Sequence, residues 1–157
     1  RRRPLDVDRP VLERPGDVLN LWRDEYDFAD NEMTGYYCPL NDRKRIFDRL
    51  REVGNKEFPL TLGAGASLVA PAVRSTDVYM YSPGPPDGAV DALGLRPVEF
   101  GGNVYLVKPA DEGVLFDMQV INELWIVSGL QLYLDLYRYP MRGEEQAEAV
   151  RDKALGV

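Results

Sequence analysis

The sequence predicts an α+β fold in one domain, with a mixed sheet of about five or six short strands, helices packed on one side of it and a helical C-terminus. The length of 157 residues suits a single hydrophobic core. Short runs rich in β-branched and aromatic residues lie among longer segments with helical periodicity. No internal repeat divides the chain, so all of these elements are expected to share one body.

The first 16 residues are expected to be an extended linker, because three prolines recur among them without helical or strand periodicity. The chain opens on Arg1 and not on methionine, which leads us to expect a missing N-terminal DNA-binding module. The three opening arginines are then either a solvated tail or the end of that module. Residues 17–157 form the predicted domain.

Two helices are predicted in the N-terminal half. Asp17 is a suitable N-cap for the first, whose apolar residues recur at the spacing of one buried face. Asn41 or Asp42 caps the second, and Gly54 marks its end. The apolar faces carry Val18, Leu19, Trp22 and Tyr26 in the first helix, and Ile46, Phe47, Leu50 and Val53 in the second.

The small residues of segment 61–71 allow two interpretations. Gly63 and Gly65 could start a phosphate-binding turn, but Leu68 stands where a dinucleotide-binding motif needs its third glycine. Close packing of a helix through small side chains is the better explanation.

The expected strands are short and bounded by prolines or glycines. Residues 95–108 are predicted to form a hairpin around a Gly-Gly-Asn turn, since paired glycines supply the positive φ of tight turns. Residues 124–127 are apolar throughout, which favours a central strand. The remaining strands are expected over 33–38, 77–82 and 114–121, and a short helix over 87–93.

The C-terminal region joins the most apolar stretch of the chain to a charged helix. Ser128 starts a helix that is apolar almost all round, so Asp135 within it must be paired or lie on a narrow exposed strip. Pro140 ends this helix, and Gly143 begins another, whose early glutamates suit the helix dipole. The apolar face of the first of these helices is expected to carry Leu130, Tyr133, Leu134 and Tyr137, and to be widened by Leu132 and Leu136.

The composition narrows the possible chemistry. The chain has no histidine, one cysteine and a net charge of -7. A disulfide within the chain, a Cys/His zinc site and any triad with imidazole as base are therefore excluded. The negative charge disfavours nucleic-acid binding by the molecule as a whole. We predict no catalytic residue, no metal, no cofactor, no membrane span and a cytoplasmic location.

The second predicted helix presents one concentrated basic surface in an otherwise acidic chain. It is either a solvent face balanced by acidic residues elsewhere in the fold or a docking surface for nucleic acid or an acidic partner. Its members, called the basic face below, are Arg43, Lys44, Arg45, Arg49 and Arg51.

A dense polar group lies beside the most buried segment and comprises Asp135, Arg142, Glu144 and Glu145. Three interpretations of it remain open. Arg142 pairs with Asp135 across the Pro140 turn while the glutamates only start a helix, or the group faces a partner or ligand, or its carboxylates bind a metal.

Two runs near the C-terminus resemble the signature of the AbiEi-type antitoxins of type IV toxin–antitoxin (abortive infection) systems. Residues 126–136 read Ile-Val-Ser-Gly-Leu-Gln-Leu-Tyr-Leu-Asp-Leu, and residues 139–148 read Tyr-Pro-Met-Arg-Gly-Glu-Glu-Gln-Ala-Glu. Met141 stands where the family often has glycine. A looser similarity extends over most of the chain. The polar residues of the two runs, called the motif cluster below, are Gln131, Tyr133, Asp135, Arg142, Glu144 and Glu145.

The resemblance implies a bacterial or archaeal transcriptional regulator in which an N-terminal winged helix-turn-helix binds operator DNA and this domain supplies the antitoxin function. The toxins of such systems are nucleotidyltransferase-like, and the antitoxin opposes them without a long-lived complex. The residues alone leave an alternative, a carboxylate-dependent and Mg²⁺-requiring nuclease or nucleotide-processing domain that uses Asp135, Glu144 or Glu145, together with Glu99 and Lys108. A ligand-sensing domain attached to a DNA-binding head is a third possibility.

Overall fold

The computed structural model describes residues 15–71, 76–140 and 142–156. Within these ranges one mixed sheet of seven strands carries helices on both faces, so the predicted α+β fold is confirmed. The strands outnumber the expected five or six because two of them have only two residues each. The linker predicted over residues 1–16 lies outside the described residues except for its last two, which begin the first helix.

The strands are β1 (Glu32–Tyr37), β2 (Leu60–Thr61), β3 (Val78–Tyr81), β4 (Arg96–Pro97), β5 (Val104–Lys108), β6 (Gln119–Ile121) and β7 (Leu124–Ile126). The helices are α1 (Pro15–Glu25), α2 (Arg43–Val53), α3 (Leu62–Val69), α4 (Asp87–Leu93), α5 (Gly129–Tyr137) and α6 (Gly143–Val150). Two 3-10 turns (Phe28–Asp30 and Glu112–Leu115) and a π-helical turn (Arg151–Leu155) complete the elements of the described chain.

The strand order in the sheet is β4-β1-β5-β3-β2-β7-β6. Neighbouring strands are antiparallel except for the parallel pairs β3–β5 and β2–β7. β7 is therefore the second strand from one edge, and the prediction of a central strand over residues 124–127 is wrong. Its side chains Leu124 and Ile126 are nevertheless fully buried, because they belong to the apolar layer that α2 and α4 cover.

The hairpin predicted over residues 95–108 is also wrong, because β1 lies between β4 and β5. The turn before β5 passes around the end of β1, where the Asn103 side chain accepts from the Cys38 N–H at 2.7 Å and donates to the Cys38 carbonyl at 3.2 Å. An added Cβ at Gly102 would lie 2.9 Å from the carbonyl oxygen of Tyr36. Glycine is needed at this position because two backbones approach each other closely.

Residues 114–121 do not form one strand as predicted. The Asp111 side chain accepts a 2.7 Å hydrogen bond from the Gly113 N–H and caps the 3-10 turn that follows. Only Gln119–Ile121 remains as β6. The first half of this run forms a 3-10 turn and not a strand, because the Asp111 side chain caps the backbone locally.

The two faces of the sheet carry separate apolar layers. Along β3, Val78 and Met80 belong to the layer with α2 and α4, while Tyr79 and Tyr81 belong to the layer with α1, α5 and α6. This alternation is the period of two expected of a strand buried on both faces. The prediction of helices on one side is wrong because α2 and α4 bury their own apolar stripes on the opposite side. None of the described helices has both the length and the apolar character that crossing a bilayer requires.

Candidate functional site

Helix α5 carries half of the motif cluster and is positioned by its own first residues. The Ser128 hydroxyl accepts a 3.0 Å hydrogen bond from the Gln131 N–H, which is the predicted N-cap. Leu132, Tyr133 and Leu136 are fully buried. Leu130, Leu134 and Tyr137 are half-buried and pack against the same layer, so the predicted apolar face is present, with its most buried side at the two leucines expected to widen it.

Asp135 lies in the protein core and has no exposed surface. Its Oδ1 accepts from the Tyr26 hydroxyl at 2.6 Å and from the Gln131 side-chain amide at 2.8 Å. Its Oδ2 accepts from the Thr61 hydroxyl at 2.6 Å and from the Tyr81 hydroxyl at 2.7 Å. Both oxygens are therefore satisfied twice, as a buried carboxylate requires. We call these five side chains the Asp135 network.

The protonation of the Asp135 network is set by burial. Burial raises the pKa of Asp135, and the hydrogen bonds from its four donors oppose this shift without cancelling it. Burial also raises the pKa of Tyr81 and of Tyr26, and the charge of Asp135 raises them further. Both phenols therefore stay protonated at neutral pH and act as donors to the carboxyl group.

The Asp135 network connects elements that are far apart in the sequence. Tyr26 follows α1, Thr61 ends β2, Tyr81 ends β3, and the remaining two side chains come from α5. A buried polar network of this kind fixes the relative positions of the elements that contribute to it. The network therefore holds α5 against the sheet and the chain after α1 against α5.

A second set of polar contacts surrounds Tyr133, which is also fully buried. Its hydroxyl accepts from the guanidinium of Arg23 at 3.3 Å and from that of Arg151 at 3.2 Å. The Arg23 guanidinium also lies 4.3 Å from the centre of the Tyr137 ring. Tyr133 thus anchors both α1 and the C-terminal π-helical turn to α5.

Asp135 does not pair with Arg142, so that interpretation is wrong. Arg142 bonds Glu145 at 2.6 Å, and both side chains are about two-thirds exposed, at 67% and 68%. This partner lowers the pKa of Glu145 by hydrogen bonding and by its charge. Glu144 is exposed in the same first turn of α6, where its charge suits the helix dipole.

The structure therefore divides the motif cluster into three parts. Gln131 and Asp135 belong to the core network, and Tyr133 to the contacts with the two arginines. The remaining three members lie on the surface at the start of α6. Among the residues that the structure describes, no group of three or more Cys, Asp or Glu side chains is placed to hold a metal ion.

Some members of the basic face are engaged in contacts with other parts of the fold, and only the others are available to a partner. Arg49 donates to the Ala92 carbonyl at 3.0 Å and Arg51 donates to the Asn122 carbonyl at 2.7 Å, so both connect α2 to neighbouring segments. Arg43 is half-buried, with its guanidinium 5.4 Å from the centre of the Phe47 ring. Within the described chain, the exposed members that have no hydrogen bond or ion pair outside α2 are Lys44, whose side chain is 83% exposed and pairs with Asp48 at 3.6 Å, and Arg45.

Gln131 is among the candidate residues predicted from the sequence, but the other three donors to Asp135 are not. The sequence pattern places Tyr26 on an apolar helix face, Tyr81 in a strand and Thr61 in a small-residue segment. The available signal was Asp135 itself, since a carboxyl group in a helix that is apolar almost all round needs several donors. Hydroxyl-bearing residues in otherwise apolar segments are the obvious suppliers.

No protein-family model, curated protein or solved structure matches this chain. The resemblance to the AbiEi-type antitoxins therefore rests on the sequence alone, and chiefly on the two runs that contain the motif cluster.

Proposed function

We propose that this chain is the antitoxin and regulatory domain of a type IV toxin–antitoxin system of the AbiEi type, and that it acts by presenting surfaces and not by catalysis. The observation that carries the proposal is the burial of Asp135 with four donors. Asp135, the charged residue of the first family-like run, is used inside the fold, so the run is best explained as a structural signature.

The surfaces left for a partner lie on helices that pack on opposite faces of the sheet. Lys44 and Arg45 project from α2, and Glu144 and Glu145 project from the first turn of α6. Surface charges of this kind influence how fast and how selectively partners meet. An antitoxin that opposes its toxin without a long-lived complex would depend on such surfaces.

The resemblance further suggests how the domain is used in the cell. An N-terminal winged helix-turn-helix would bind operator DNA in the cytoplasm and repress the operon, while this domain would antagonise a nucleotidyltransferase-like toxin. The net charge of -7 supports this division of labour, because an acidic domain is poorly suited to binding DNA over its whole surface.

The alternative, a carboxylate-dependent enzyme, requires two or more acids around one cation. The carboxyl groups of Asp135, Glu144 and Glu145 do not converge on one point. Asp135 is enclosed by its donors in the core, whereas Glu144 and Glu145 lie on the surface and Glu145 bonds Arg142. A non-enzymatic role therefore agrees better with the geometry.

Coexpression in a growth assay tests the proposal. This chain would be produced, alone and joined to its native upstream sequence, with the nucleotidyltransferase-like protein encoded beside it. We expect growth to be restored by at least one of the two forms. Failure of both forms, or a neighbouring gene that encodes nothing like a nucleotidyltransferase, would contradict the proposal.

A further inference from the structure

A groove of about 470 Å³ runs along one face of β1 and β5 beneath the loop that follows β3. This volume lies within the range of about 300–1,000 Å³ that small-molecule sites occupy. The groove is separate from both the Asp135 network and the basic face. The side chains that give it chemical character are Glu32, Thr34, Tyr36, Ser82, Leu106 and Lys108.

The register of the sheet explains why these side chains meet. β1 and β5 are antiparallel, with Glu32 opposite Lys108 and Thr34 opposite Leu106. Directly opposed residues place their side chains on the same face, and alternate residues of one strand share that face. The charged pair therefore lies at one end of the groove, and the hydroxyl and apolar side chains follow it along the strands.

Glu32 and Lys108 carry opposite charges but do not form an ion pair. In the described part of the chain, the salt bridges within 4.0 Å join other residues. Both side chains are exposed at the mouth of the groove, so each is available to a ligand. A ligand with a single charge would be attracted by one of these groups and repelled by the other.

The rest of the groove is mainly apolar, and its wall is stiff. Leu106 and Tyr36 form its floor and are 5% and 8% exposed. Its wall is the loop after β3, in which three of four consecutive residues are proline, so the backbone has little freedom there. Ser82, which is 6% exposed, and Thr34 add hydroxyl groups along this path. A preformed, partly apolar site reduces the ordering cost of binding.

We propose that this groove binds a free α-amino acid. The Lys108 ammonium group pairs with the ligand carboxylate, the Glu32 carboxylate pairs with the ligand ammonium group, and the ligand side chain lies along the proline wall. The side chains of opposed residues in an antiparallel pair begin about 4.5–5.5 Å apart at Cβ, so their flexible charged ends can both reach one small zwitterion. A zwitterion is also the ligand class that is attracted by both charged side chains.

Saturation-transfer NMR with the intact chain tests this site. The probe is a mixture of the standard free L-amino acids at low millimolar concentration, and the comparison is the same mixture as N-acetyl amides, which lack both terminal charges. We expect saturation of one or more free amino acids and none of the corresponding amides. Backbone amide shifts should change around Glu32, Thr34, Ser82 and Lys108.

The variants Glu32→Gln and Lys108→Met should each weaken binding by at least about tenfold. The matched controls Glu57→Gln and Lys153→Met, which alter exposed residues outside the groove, should bind as the wild type does. Binding of no free amino acid, equal saturation of the amides, or shifts confined to another surface would overturn the proposal. So would unchanged binding by the two groove variants. Because the wild-type spectra alone can decide between these outcomes, a variant that fails to fold does not prevent a decision.

Discussion

The Tyr26 hydroxyl donates a 2.6 Å hydrogen bond to the carboxylate of Asp135, a residue 109 positions later in the chain. Few apolar side chains of α1 reinforce this contact, since Leu19 is buried while Leu21 and Trp22 are about half exposed, at 57% and 48%. Polar contacts therefore contribute much of the attachment between the N-terminal segment and α5.

Replacing Tyr26 by phenylalanine tests this contribution. Tyr26→Phe removes one of the two donors to Oδ1 of Asp135 and keeps the ring, so we expect a loss of about 1.5–3 kcal/mol in the free energy of unfolding. Urea denaturation measures it. Tyr37→Phe is the matched control, because in the described residues the Tyr37 hydroxyl has no hydrogen bond. Equal stability of the two variants would contradict the contribution assigned to Tyr26.

The raised pKa of Asp135 predicts a pH dependence. Above the ordinary value of 3.8 and up to its folded-state pKa, this carboxyl group holds its proton more in the folded chain than in the unfolded chain. Its contribution to stability is therefore complete below the unfolded pKa and is lost as the pH rises through the folded pKa.

We expect the difference in unfolding free energy between wild type and Asp135→Asn to fall as the pH is raised from about 4 to neutrality. Subtracting the variant removes the effects of the other carboxyl groups. Denaturant unfolding over this pH range measures the difference. A difference that stays constant, or that grows with pH, would show that the folded-state pKa of Asp135 is not raised.

Replacing Gly143, at the start of α6, by any larger residue is predicted to destabilise the fold. A Cβ there would overlap the Leu136 carbonyl oxygen and lie 2.9 Å from the Tyr139 Cβ, and neither group can move without moving the backbone. Gly143→Ala should therefore lose at least about 2 kcal/mol of stability. At Gly84 an added Cβ meets nothing within 4 Å, so Gly84→Ala should keep or slightly raise stability. Thermal melts of both variants provide the comparison, and a Gly143→Ala protein as stable as wild type would refute the packing described for the α5–α6 corner.

Two exposed residues of the basic face, Lys44 and Arg45, are predicted to contribute to the antitoxin function. Lys44→Glu combined with Arg45→Glu should weaken growth protection against the toxin and leave the melting temperature nearly unchanged, because both side chains are exposed and the Lys44–Asp48 ion pair that is lost is a surface pair. The control is Lys56→Glu combined with Lys153→Glu, an equal change of charge on exposed residues elsewhere. If both double variants protect equally, the basic face has no part in the antitoxin function.

Local features of the fold could be predicted from the sequence because their causes lie within a few residues. The predicted cap of α2 is present, since the Asp42 side chain accepts from the Lys44 N–H at 3.1 Å and Gly54 ends the helix. The small side chains of α3 also allow the predicted close packing, with Ile126 and Leu132 only 3.0 and 3.1 Å from the Cβ that Gly65 lacks.

Long-range features could not be predicted in the same way. The segment containing β4 is close to β5 in the sequence but pairs with β1, because Asn103 and Gly102 fit around the end of β1. Most hydrogen-bond partners in the candidate site could not be predicted either, because they are also distant in the sequence. Arg142 is near Asp135 in the sequence, yet three of the four actual donors come from positions 54 to 109 residues away. A buried carboxyl group reveals its need for donors but not their identity.

The most direct test of the proposed role is growth protection by Asp135→Asn, measured together with its folded fraction. Asparagine keeps the shape of the side chain and removes the carboxylate that catalysis would require. If Asp135 acts through structure, the variant will protect as well as wild type at a temperature where circular dichroism shows both to be folded, and protection will fall with the folded fraction on warming. A variant that is fully folded but gives no protection would contradict this role and favour the carboxylate-dependent enzyme.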